Sequence, residues 1–394
     1  GDRLIIRGGT YSERLLLDGL TGTEQSPIII ENVTQENVII DGDTLSVPVS
    51  TGRAGLVVIK NCDHLQLKGI TVRNYKTTSA NAVPVGIQIE GKGTGLSVIG
   101  CTVTEIWQSS TSTSGNGFGI SVYGTSVSQP IDGLRLEGNT VHNLRTGQSE
   151  SVVLNGNVTN FIVTKNHIYH CNNIGLDFIG YEGVVSNTTL DRARNGICSE
   201  NHVHGIDSSF NPGYGGNFSS GGGDGSAAGI YVDGGHDIVI ERDHVHECNF
   251  GIELASEHAG GFTENIIMRN NLIHHNISAG IIMGGYDQNR GVTRNCKVLN
   301  NTIYRNDTQN EYSGEIALQY YLQNNTFKNN IIWVNPATNH AIVHYVEGGT
   351  SAQKQFDVTT NLFDYNTYFL TGDAANLTFG LNLTGSNNAS FEGL

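Results

Sequence analysis

The chain has little proline, cysteine and tryptophan, and few charged residues. Of its 394 residues only 6 are proline, 6 are cysteine and 2 are tryptophan, and 15% are charged. It has no run of about 18 apolar residues, which excludes a membrane-spanning helix, and no long stretch with the 3.6-residue apolar period of a surface helix. The formal net charge of −15 argues against nucleic acid as a partner, because phosphates attract a basic surface.

The cysteines are too few and too scattered to form a disulfide framework, so we predict buried free thiols. They are Cys62, Cys101, Cys171, Cys198, Cys248 and Cys296.

Glycine, in contrast, is abundant, with 51 residues, and much of it belongs to a recurring motif. The motif is a small residue, an aliphatic, any residue, an aliphatic, any residue and usually glycine, repeated at intervals of roughly 22 to 35 residues with one larger gap. Such spacing is typical of a stacked repeat, in which each unit completes its core against its neighbours. Side chains alternate along a strand, so the second and fourth positions point inward and the third and fifth outward. Copies occupy residues 86–91, 119–124, 151–156, 175–180, 229–234, 251–256 and 280–285, with weaker ones at 315–319 and 341–345.

Two further short strands separate successive copies, and the bend between them carries an asparagine or aspartate once per coil. Stacked asparagines in a bend bond to one another and tolerate left-handed backbone, so we expect a structural role. This pattern predicts an all-β, right-handed parallel β-helix with three strands per coil and about ten or more turns. We expect residues 1–394 to form one domain with loop insertions at 181–194 and 207–228. The bend residues are Asn139, Asn166, Asn201, Asp243, Asn271, Asn301 and Asn330.

On these repeats, the chain resembles the pectin-lyase-like superfamily over roughly residues 1–370. The resemblance implies a carbohydrate-active protein, because that superfamily is dominated by polysaccharide lyases, glycoside hydrolases and epimerases, with some tailspikes and adhesins. The Gly-His-Gly and Arg-Ile-Lys signatures of polygalacturonases and the Arg-x-Pro-x-x-Arg signature of pectate lyases are absent. The reaction must therefore be sought in the site itself.

Acidic residues cluster among the outward positions of the motif strand. Asp177, Asp233 and Glu253 fall on successive copies, and Tyr231 stands between the last two. Strand spacing and rise put the Cβ atoms of Asp233 and Glu253 about 8 Å apart. Two carboxyl groups at such a distance can act as acid and as nucleophile or base in glycosidic hydrolysis, with retention and inversion both open. Mutual repulsion should raise the pKa of one member and keep it protonated at neutral pH.

The turns that leave these strands carry further acidic and aromatic residues, which we expect to line the cleft as substrate contacts or catalytic support. Glu257 is the strongest further candidate for acid or base. In the 207–228 insertion, Phe210, Tyr214 and Phe218 could stack on sugar rings. The turn residues are Tyr181, Glu182, Glu257, His258, Tyr286 and Asp287.

Three alternatives stay open. The pairs His202/His204 and His244/His246 could bind a metal ion, but an aromatic stack along the third strand also accounts for them, so no metal is predicted. A polysaccharide lyase would need a base, such as Tyr231 or His258, and calcium or a cation to neutralise a uronate. The sequence places no Lys or Arg in either outward column of the motif strand. The third alternative is a non-catalytic glycan-binding β-helix.

The favoured prediction is a secreted, extracellular, monomeric glycoside hydrolase that acts on a neutral or weakly charged polysaccharide or oligosaccharide of plant, microbial or host origin. It would need no cofactor, with calcium considered only for a lyase, and would bind neither nucleic acid nor membrane. Acceptor sequons for N-glycosylation support secretion only moderately, because the chain is rich in Asn, Ser and Thr. The sequons begin at Asn32, Asn157, Asn187, Asn217, Asn276, Asn300, Asn306, Asn324, Asn376, Asn382 and Asn388.

Overall fold

The computed structural model describes residues 1–49, 52–344, 360–372 and 376–380, and these are almost entirely strand and turn. The motif residue Tyr345 and the sequon residues Asn382 and Asn388 lie outside the described residues. Two 3₁₀ turns of three residues each lie wholly within the described residues, and no described helix is long and apolar enough to cross a membrane.

The strands are short throughout. The first thirteen are β1 (Arg3–Ile6), β2 (Gly9–Tyr11), β3 (Leu15–Asp18), β4 (Ile28–Asn32), β5 (Val38–Asp41), β6 (Arg53–Lys60), β7 (Leu65–Lys68), β8 (Ile70–Thr77), β9 (Val83–Gly91), β10 (Gly93–Thr94), β11 (Ser97–Ile99), β12 (Thr102–Gln108) and β13 (Phe118–Gly124). The next ten are β14 (Ile131–Asp132), β15 (Arg135–Glu137), β16 (Thr140–Leu144), β17 (Val152–Gly156), β18 (Val158–Thr159), β19 (Ile162–Thr164), β20 (His167–Cys171), β21 (Leu176–Ile179), β22 (Ala193–Ser199) and β23 (His202–Ile206).

The 3₁₀ turns Ser208–Phe210 and Pro212–Tyr214 follow β23. The remaining strands are β24 (Ala228–Asp233), β25 (His236–Glu241), β26 (His244–His246), β27 (Phe250–Ala255), β28 (Phe262–Glu264), β29 (Ile267–Arg269), β30 (Leu272–His274), β31 (Ile281–Met283), β32 (Val292–Arg294), β33 (Lys297–Leu299), β34 (Thr302–Tyr304), β35 (Ile316–Leu318), β36 (Leu322–Gln323), β37 (Thr326–Lys328), β38 (Ile331–Val334), β39 (His340–His344), β40 (Leu362–Asp364), β41 (Thr367–Leu370) and β42 (Thr378–Gly380).

These strands form the predicted parallel β-helix, which the contacts divide into two compact units. The first unit comprises Gly1–Ile197 and Asn201–Ala227, and the second comprises Cys198–Glu200 and Ala228–Leu394. Sheet 1 carries the motif strands, in the order β3-β6-β9-β13-β17-β21 in the first unit and β24-β27-β31-β35-β39-β42 in the second. Sheet 3 is ordered β2-β5-β8-β12-β16-β20-β23 in the first unit and β26-β30-β34-β38-β41 in the second, and sheet 2 holds the remaining strands.

The motif owes its small first residue to the closeness of sheet 3 across the core. A Cβ on Gly86 would approach the Val103 side chain to 2.5 Å, and one on Gly229 would approach the Val245 side chain to 2.6 Å. Both distances are far below van der Waals contact, so a larger residue in place of Gly86 or Gly229 would force the sheets apart there. The closing glycine is required for a different reason, which is the backbone conformation. Gly234 has a φ of 79°, which residues with a side chain rarely adopt.

The predicted asparagine ladder is confirmed in both units. In the first unit, Nδ2 of Asn139 donates to Oδ1 of Asn166 at 3.0 Å, and Nδ2 of Asn166 donates to Oδ1 of Asn201 at 2.9 Å. In the second unit, Asn271 donates to Asn301 at 2.9 Å and Asn301 to Asn330 at 3.0 Å. Each amide thus satisfies its neighbour inside the bend, which is a structural role.

The structure adds a ladder that was not predicted, at the bend before sheet 1 in the second unit. The backbone N–H of Cys248 donates to Asn276 at 3.0 Å, and Asn276 donates to Asn306 at 2.8 Å. The buried Glu315 carboxyl ends the ladder by accepting from Nδ2 of Asn306 at 2.7 Å. Burial raises the pKa of Glu315 to about 7, although the donors around it oppose that shift.

The prediction of free, buried cysteines is confirmed, because all six thiols are buried and none is in a disulfide. Three sequon asparagines, Asn157, Asn276 and Asn306, are also buried, so they are closed to glycosylation in the folded chain. Glycosylation at the others stays a prediction.

Candidate functional site

The predicted register of the acidic positions is confirmed in the second unit. On β24 and β27, Tyr231 pairs with Glu253 and Asp233 pairs with Ala255. Asp233 and Glu253 therefore sit diagonally, one strand and two residues apart, as sheet geometry predicted.

The outer face of sheet 1 is more buried than an open cleft floor would be. Asp177 is 2% exposed, Asp233 4% and Glu253 8%. Aromatic residues at the strand starts pack over this face: Phe250 packs against the apolar cluster that contains Ile282. Carboxyl groups in such surroundings lose hydration, which penalises their charged form.

Burial acts strongly on the carboxyl group of Glu253. Glu253 is flanked in the sheet by Tyr231 and by the apolar Ile282. Burial, followed by the negative charge of Glu257, raises the pKa of Glu253 to about 8. Glu253 is therefore the protonated acid that the sequence led us to expect. Its pKa is raised mainly by the loss of solvent, and the carboxylate that repels it is that of Glu257, not Asp177 or Asp233.

Asp233 lies at the end of β24, where the chain turns at Gly234. Its Oδ1 accepts a hydrogen bond of 2.6 Å from the backbone N–H of Glu257. Such a donor stabilises the ionised carboxylate. The turn is held in place because the Gly234 N–H donates to Oγ1 of Thr263 at 2.7 Å, and that hydroxyl in turn donates to the Ala255 carbonyl.

The turns after β27 and β31 bring together several of the predicted supporting residues. The charges of Glu257, Asp287 and Asp233 act on Tyr286, whose pKa is raised, first by burial and then by Glu257. Arg290 organises this edge: its guanidinium lies 4.0 Å from the Tyr286 ring centroid and 3.0 Å from Asp287. Nη1 of Arg290 also donates to the Glu257 carbonyl at 3.0 Å.

His258 is on the same turn, and its carbonyl accepts from the Gly261 N–H at 2.8 Å. Ser256, beside it, has a fully buried hydroxyl for which the described residues offer no hydrogen-bond partner. Neither Ser256 nor Arg290 was singled out from the sequence, since turns do not follow the alternation of a strand.

Asp177, Tyr181 and Glu182 belong to the first unit. Asp177 is on β21 and pairs with Val153. The insertion at 181–194 is a closed turn around the buried Asp191, whose carboxylate accepts from the Gly183 N–H at 2.6 Å. A shared catalytic role for Asp177 stays a prediction.

The insertion at 207–228 is tied to turns of the first unit. Nδ2 of Asn211 donates to the Gly147 carbonyl at 2.7 Å, and Nε2 of Gln148 donates to the Gly213 carbonyl at 2.9 Å. Phe218 lies 4.3 Å from the Arg145 guanidinium, so its ring already has a partner in the protein. Stacking of Phe210 or Tyr214 on a sugar stays a prediction.

One sequence-based statement is wrong: the outward columns of sheet 1 do contain a cation. Lys60 pairs with Glu90 across β6 and β9, in the column of the fifth motif position. On the same strand, Arg53 contacts Glu90 at 3.3 Å and lies 3.5 Å from the Tyr123 ring centroid.

Tyr123 is the centre of this second polar cluster. Its pKa is raised, mainly by burial and then by the charge of Glu150, while Arg53 opposes the shift. The predicted cleft residue Glu182 also acts on Tyr123, so it belongs to this cluster. The cluster was missed because the copy on β6 has Leu56 in place of the small first residue and is followed by Asn61 in place of the closing glycine.

Comparison with known proteins agrees with the fold. The family described as "Right handed beta helix region" matches residues 55–295 and 224–393. The chain belongs to this family. The predicted handedness and the superfamily resemblance are thereby confirmed. The uncharacterized protein YwoF of Bacillus subtilis (strain 168) is 39% identical over 332 residues, which are 84% of this chain and 67% of YwoF.

Solved structures show the same architecture in proteins of low sequence identity. The Dettilon tailspike protein (gp208) matches with a TM-score of 0.57 and 16% identity, over 94% of this chain and 62% of the tailspike. The A-module of the mannuronan C-5 epimerase AlgE6 of Azotobacter vinelandii matches with a TM-score of 0.54 and 14% identity, over 98% of this chain and 92% of the module. At these identities the likeness concerns the fold alone.

Proposed function

We propose that this protein is a carbohydrate-active enzyme, and specifically a glycoside hydrolase, with Glu253 as the general acid and Asp233 as the nucleophile or base. The observation that carries the proposal is the contrast between these two carboxyl groups. Glu253 has a pKa of about 8, so it holds a proton at neutral pH. Asp233 accepts a backbone N–H, which favours its ionised form.

This contrast is what glycosidic cleavage requires. The proton of Glu253 passes to the glycosidic oxygen as the bond from that oxygen to the anomeric carbon breaks. Asp233 either attacks the anomeric carbon or takes a proton from the water that attacks it. In the first case, water activated by the Glu253 carboxylate then breaks the bond between Asp233 and the anomeric carbon, and its proton restores Glu253. In the second case, Asp233 releases to solvent the proton that it took from water, and Glu253 takes one up. In both cases the two products together gain one water molecule.

The surroundings suit these roles. Tyr231, which pairs with Glu253, would orient the acid. Tyr286 would offer a half-exposed ring at the cleft edge, and Arg290 would hold it there. Aromatic rings bind sugars through their apolar faces.

The carbohydrate class of the substrate is also supported by analogy. The epimerase of similar fold is named for its action on mannuronan, a sugar polymer. Secretion, a monomeric state and the absence of a cofactor stay proposals.

The test is product analysis on a panel of neutral and uronate glycans, with wild type and Glu253→Gln compared. With wild type we expect new reducing ends and no ultraviolet absorbance from unsaturated uronates. With Glu253→Gln we expect reducing ends to form at least about a hundredfold more slowly, again without absorbance. Absorbance that rises with cleavage would replace the proposal with β-elimination, for which Lys60 and Arg53 offer cations near Tyr123. No cleavage of any glycan by wild type, together with saturable glycan binding, would favour a non-catalytic binding protein.

A further inference from the structure

Three imidazoles lie together on the outer face of sheet 3 in the first unit. His202 and His204 are two residues apart on β23, so their side chains leave the same face of the strand. His167, on β20, pairs directly with His202, and Tyr169 pairs with His204. The three histidines therefore occupy three corners of a small rectangle, and Tyr169 occupies the fourth.

The ring nitrogens of this group are close enough to share an ion. One nitrogen from each ring lies within 4.8 Å of the other two, and Nε2 of His167 is 3.0 Å from Nε2 of His204. Two nitrogen ligands of a tetrahedral zinc ion lie about 3.3 Å apart, because each Zn–N bond is about 2.0–2.1 Å long. His167 and His202 stack with centroids 4.8 Å apart, so these two rings must turn toward each other to complete the set.

The surroundings hold the group in place without sealing it. Tyr169 stacks on His142 at 4.8 Å and on His204 at 5.2 Å, both with nearly parallel planes. The three histidines are only partly buried. An ion can therefore enter from solvent, and a water molecule can fill a fourth position.

We propose that His167, His202 and His204 form a binding site for a divalent transition-metal ion of the zinc class. Three neutral imidazoles suit zinc, nickel or copper. Calcium and magnesium instead require oxygen ligands, which this set does not supply. The proposal is independent of the hydrolytic site, because it uses no residue of that site.

The experiment is a calorimetric titration of the full chain, produced without a polyhistidine tag and stripped by a chelator, with zinc chloride. Wild type is expected to bind zinc saturably, and cobalt in its place should show the intense visible absorption of a tetrahedral site. His204→Gln should weaken zinc binding at least about a hundredfold, since losing a mere outer partner of a ligand already costs about 10–100-fold.

The matched control is His142→Gln, which removes a ring of the same stack but no ligand and should keep wild-type affinity. His167→Gln provides the same comparison should His204→Gln fail to fold. No saturable zinc binding by wild type would overturn the proposal, as would unchanged affinity in the ligand variants. Equal loss in His142→Gln would also overturn it, because the stack alone would then explain the effect.

The second unit contains a competing pair, since Nε2 of His244 lies 2.7 Å from Nε2 of His274. Zinc binding that survives His204→Gln but is lost in His274→Gln would assign the ion to that pair and contradict the proposal.

Discussion

Glu257 donates its backbone N–H to Oδ1 of Asp233 at 2.6 Å, while its own side chain acts on a second carboxyl group. The charge of Glu257 contributes to raising the pKa of Glu253 to about 8. Glu257 thus donates to one carboxyl group through its backbone and raises the pKa of the other through its charge. Acid and base coexist at neutral pH when their environments separate the pKa values of two carboxyl groups.

The first prediction concerns the acid itself. Glu253→Gln removes the proton donor but keeps the shape of the side chain, so kcat should fall about 10²–10⁴-fold, the usual contribution of a general acid. Steady-state kinetics measure this. The control is Glu247→Gln, at an exposed position, which should leave kcat unchanged. A Glu253→Gln variant that keeps most of its kcat would remove Glu253 from the mechanism.

The second prediction concerns Asp233. Asp233→Asn retains an oxygen that can accept the Glu257 N–H, so the turn should survive while the nucleophile or base is lost. Turnover should fall by about 10²–10⁴-fold with little change in the unfolding temperature. A large drop in that temperature would instead point to a structural role.

The third prediction uses the charge on Glu257. Glu257→Gln keeps the backbone N–H but removes the negative charge, so the pKa of Glu253 should fall. Because the acid must be protonated, the alkaline limb of the pH–rate profile should move to lower pH, by about half a unit to one unit. An unmoved limb would show that another group sets it.

The fourth prediction is a pH dependence of stability. The pKa of Glu253 is about 8 in the folded chain, above its ordinary 4.5, so the folded state binds its proton more tightly than the unfolded chain. Its stabilising contribution is complete below pH 4.5 and is lost as the pH rises through about 8, a loss of roughly 5 kcal/mol at about 1.4 kcal/mol for each pKa unit.

Glu315 acts in the same direction, with a pKa of about 7. Denaturant unfolding between about pH 5 and pH 9 should therefore show a decline in wild type that Glu253→Gln reduces in part. A decline of equal size in Glu253→Gln would mean that Glu253 is ionised in the folded protein at neutral pH.

The fifth prediction tests the asparagine ladder. Asn301 donates to the Met268 carbonyl and to Asn330, each at 3.0 Å, and accepts from Asn271. Asn301→Ala would leave these buried partners unsatisfied and should lower the free energy of unfolding by ~1–3 kcal/mol. Asn289→Ala, on an exposed turn, is the control and should change it by less than ~0.5 kcal/mol.

The parts of the fold that consist of strands were predictable, because successive side chains of a strand point to opposite faces of the sheet. The position of a residue in the motif therefore tells whether its side chain points into the core or outward. The register that pairs Tyr231 with Glu253 follows from two glycine-led copies aligned on each other. The bend asparagines were predictable for the same reason, since they recur once per coil.

The cluster around Tyr123 was not predictable by this route. On β6, Leu56 stands opposite Gly86, and Asn61, with φ of 50°, replaces the closing glycine. Asparagine tolerates that left-handed backbone, so the coil closes without the motif that would have revealed Arg53 and Lys60.

The role of Glu257 also required the structure. Its N–H reaches Asp233 through the conformation of a turn, and turns have no period from which a direction can be deduced. From the sequence, Glu257 was a candidate acid or base. In the structure it donates its N–H to Asp233 and its charge raises the pKa of Glu253.

The most direct measurement uses a glycan that the wild-type protein cleaves. The reaction is run in water enriched in heavy oxygen, and mass spectrometry determines how much heavy oxygen each product contains. Hydrolysis with Glu253 as acid and Asp233 as nucleophile or base predicts one heavy oxygen for each bond cleaved, at the new reducing end, and at least about a hundredfold less product from Glu253→Gln in the same time. Unsaturated products without label would contradict this account, because elimination breaks the bond without adding water.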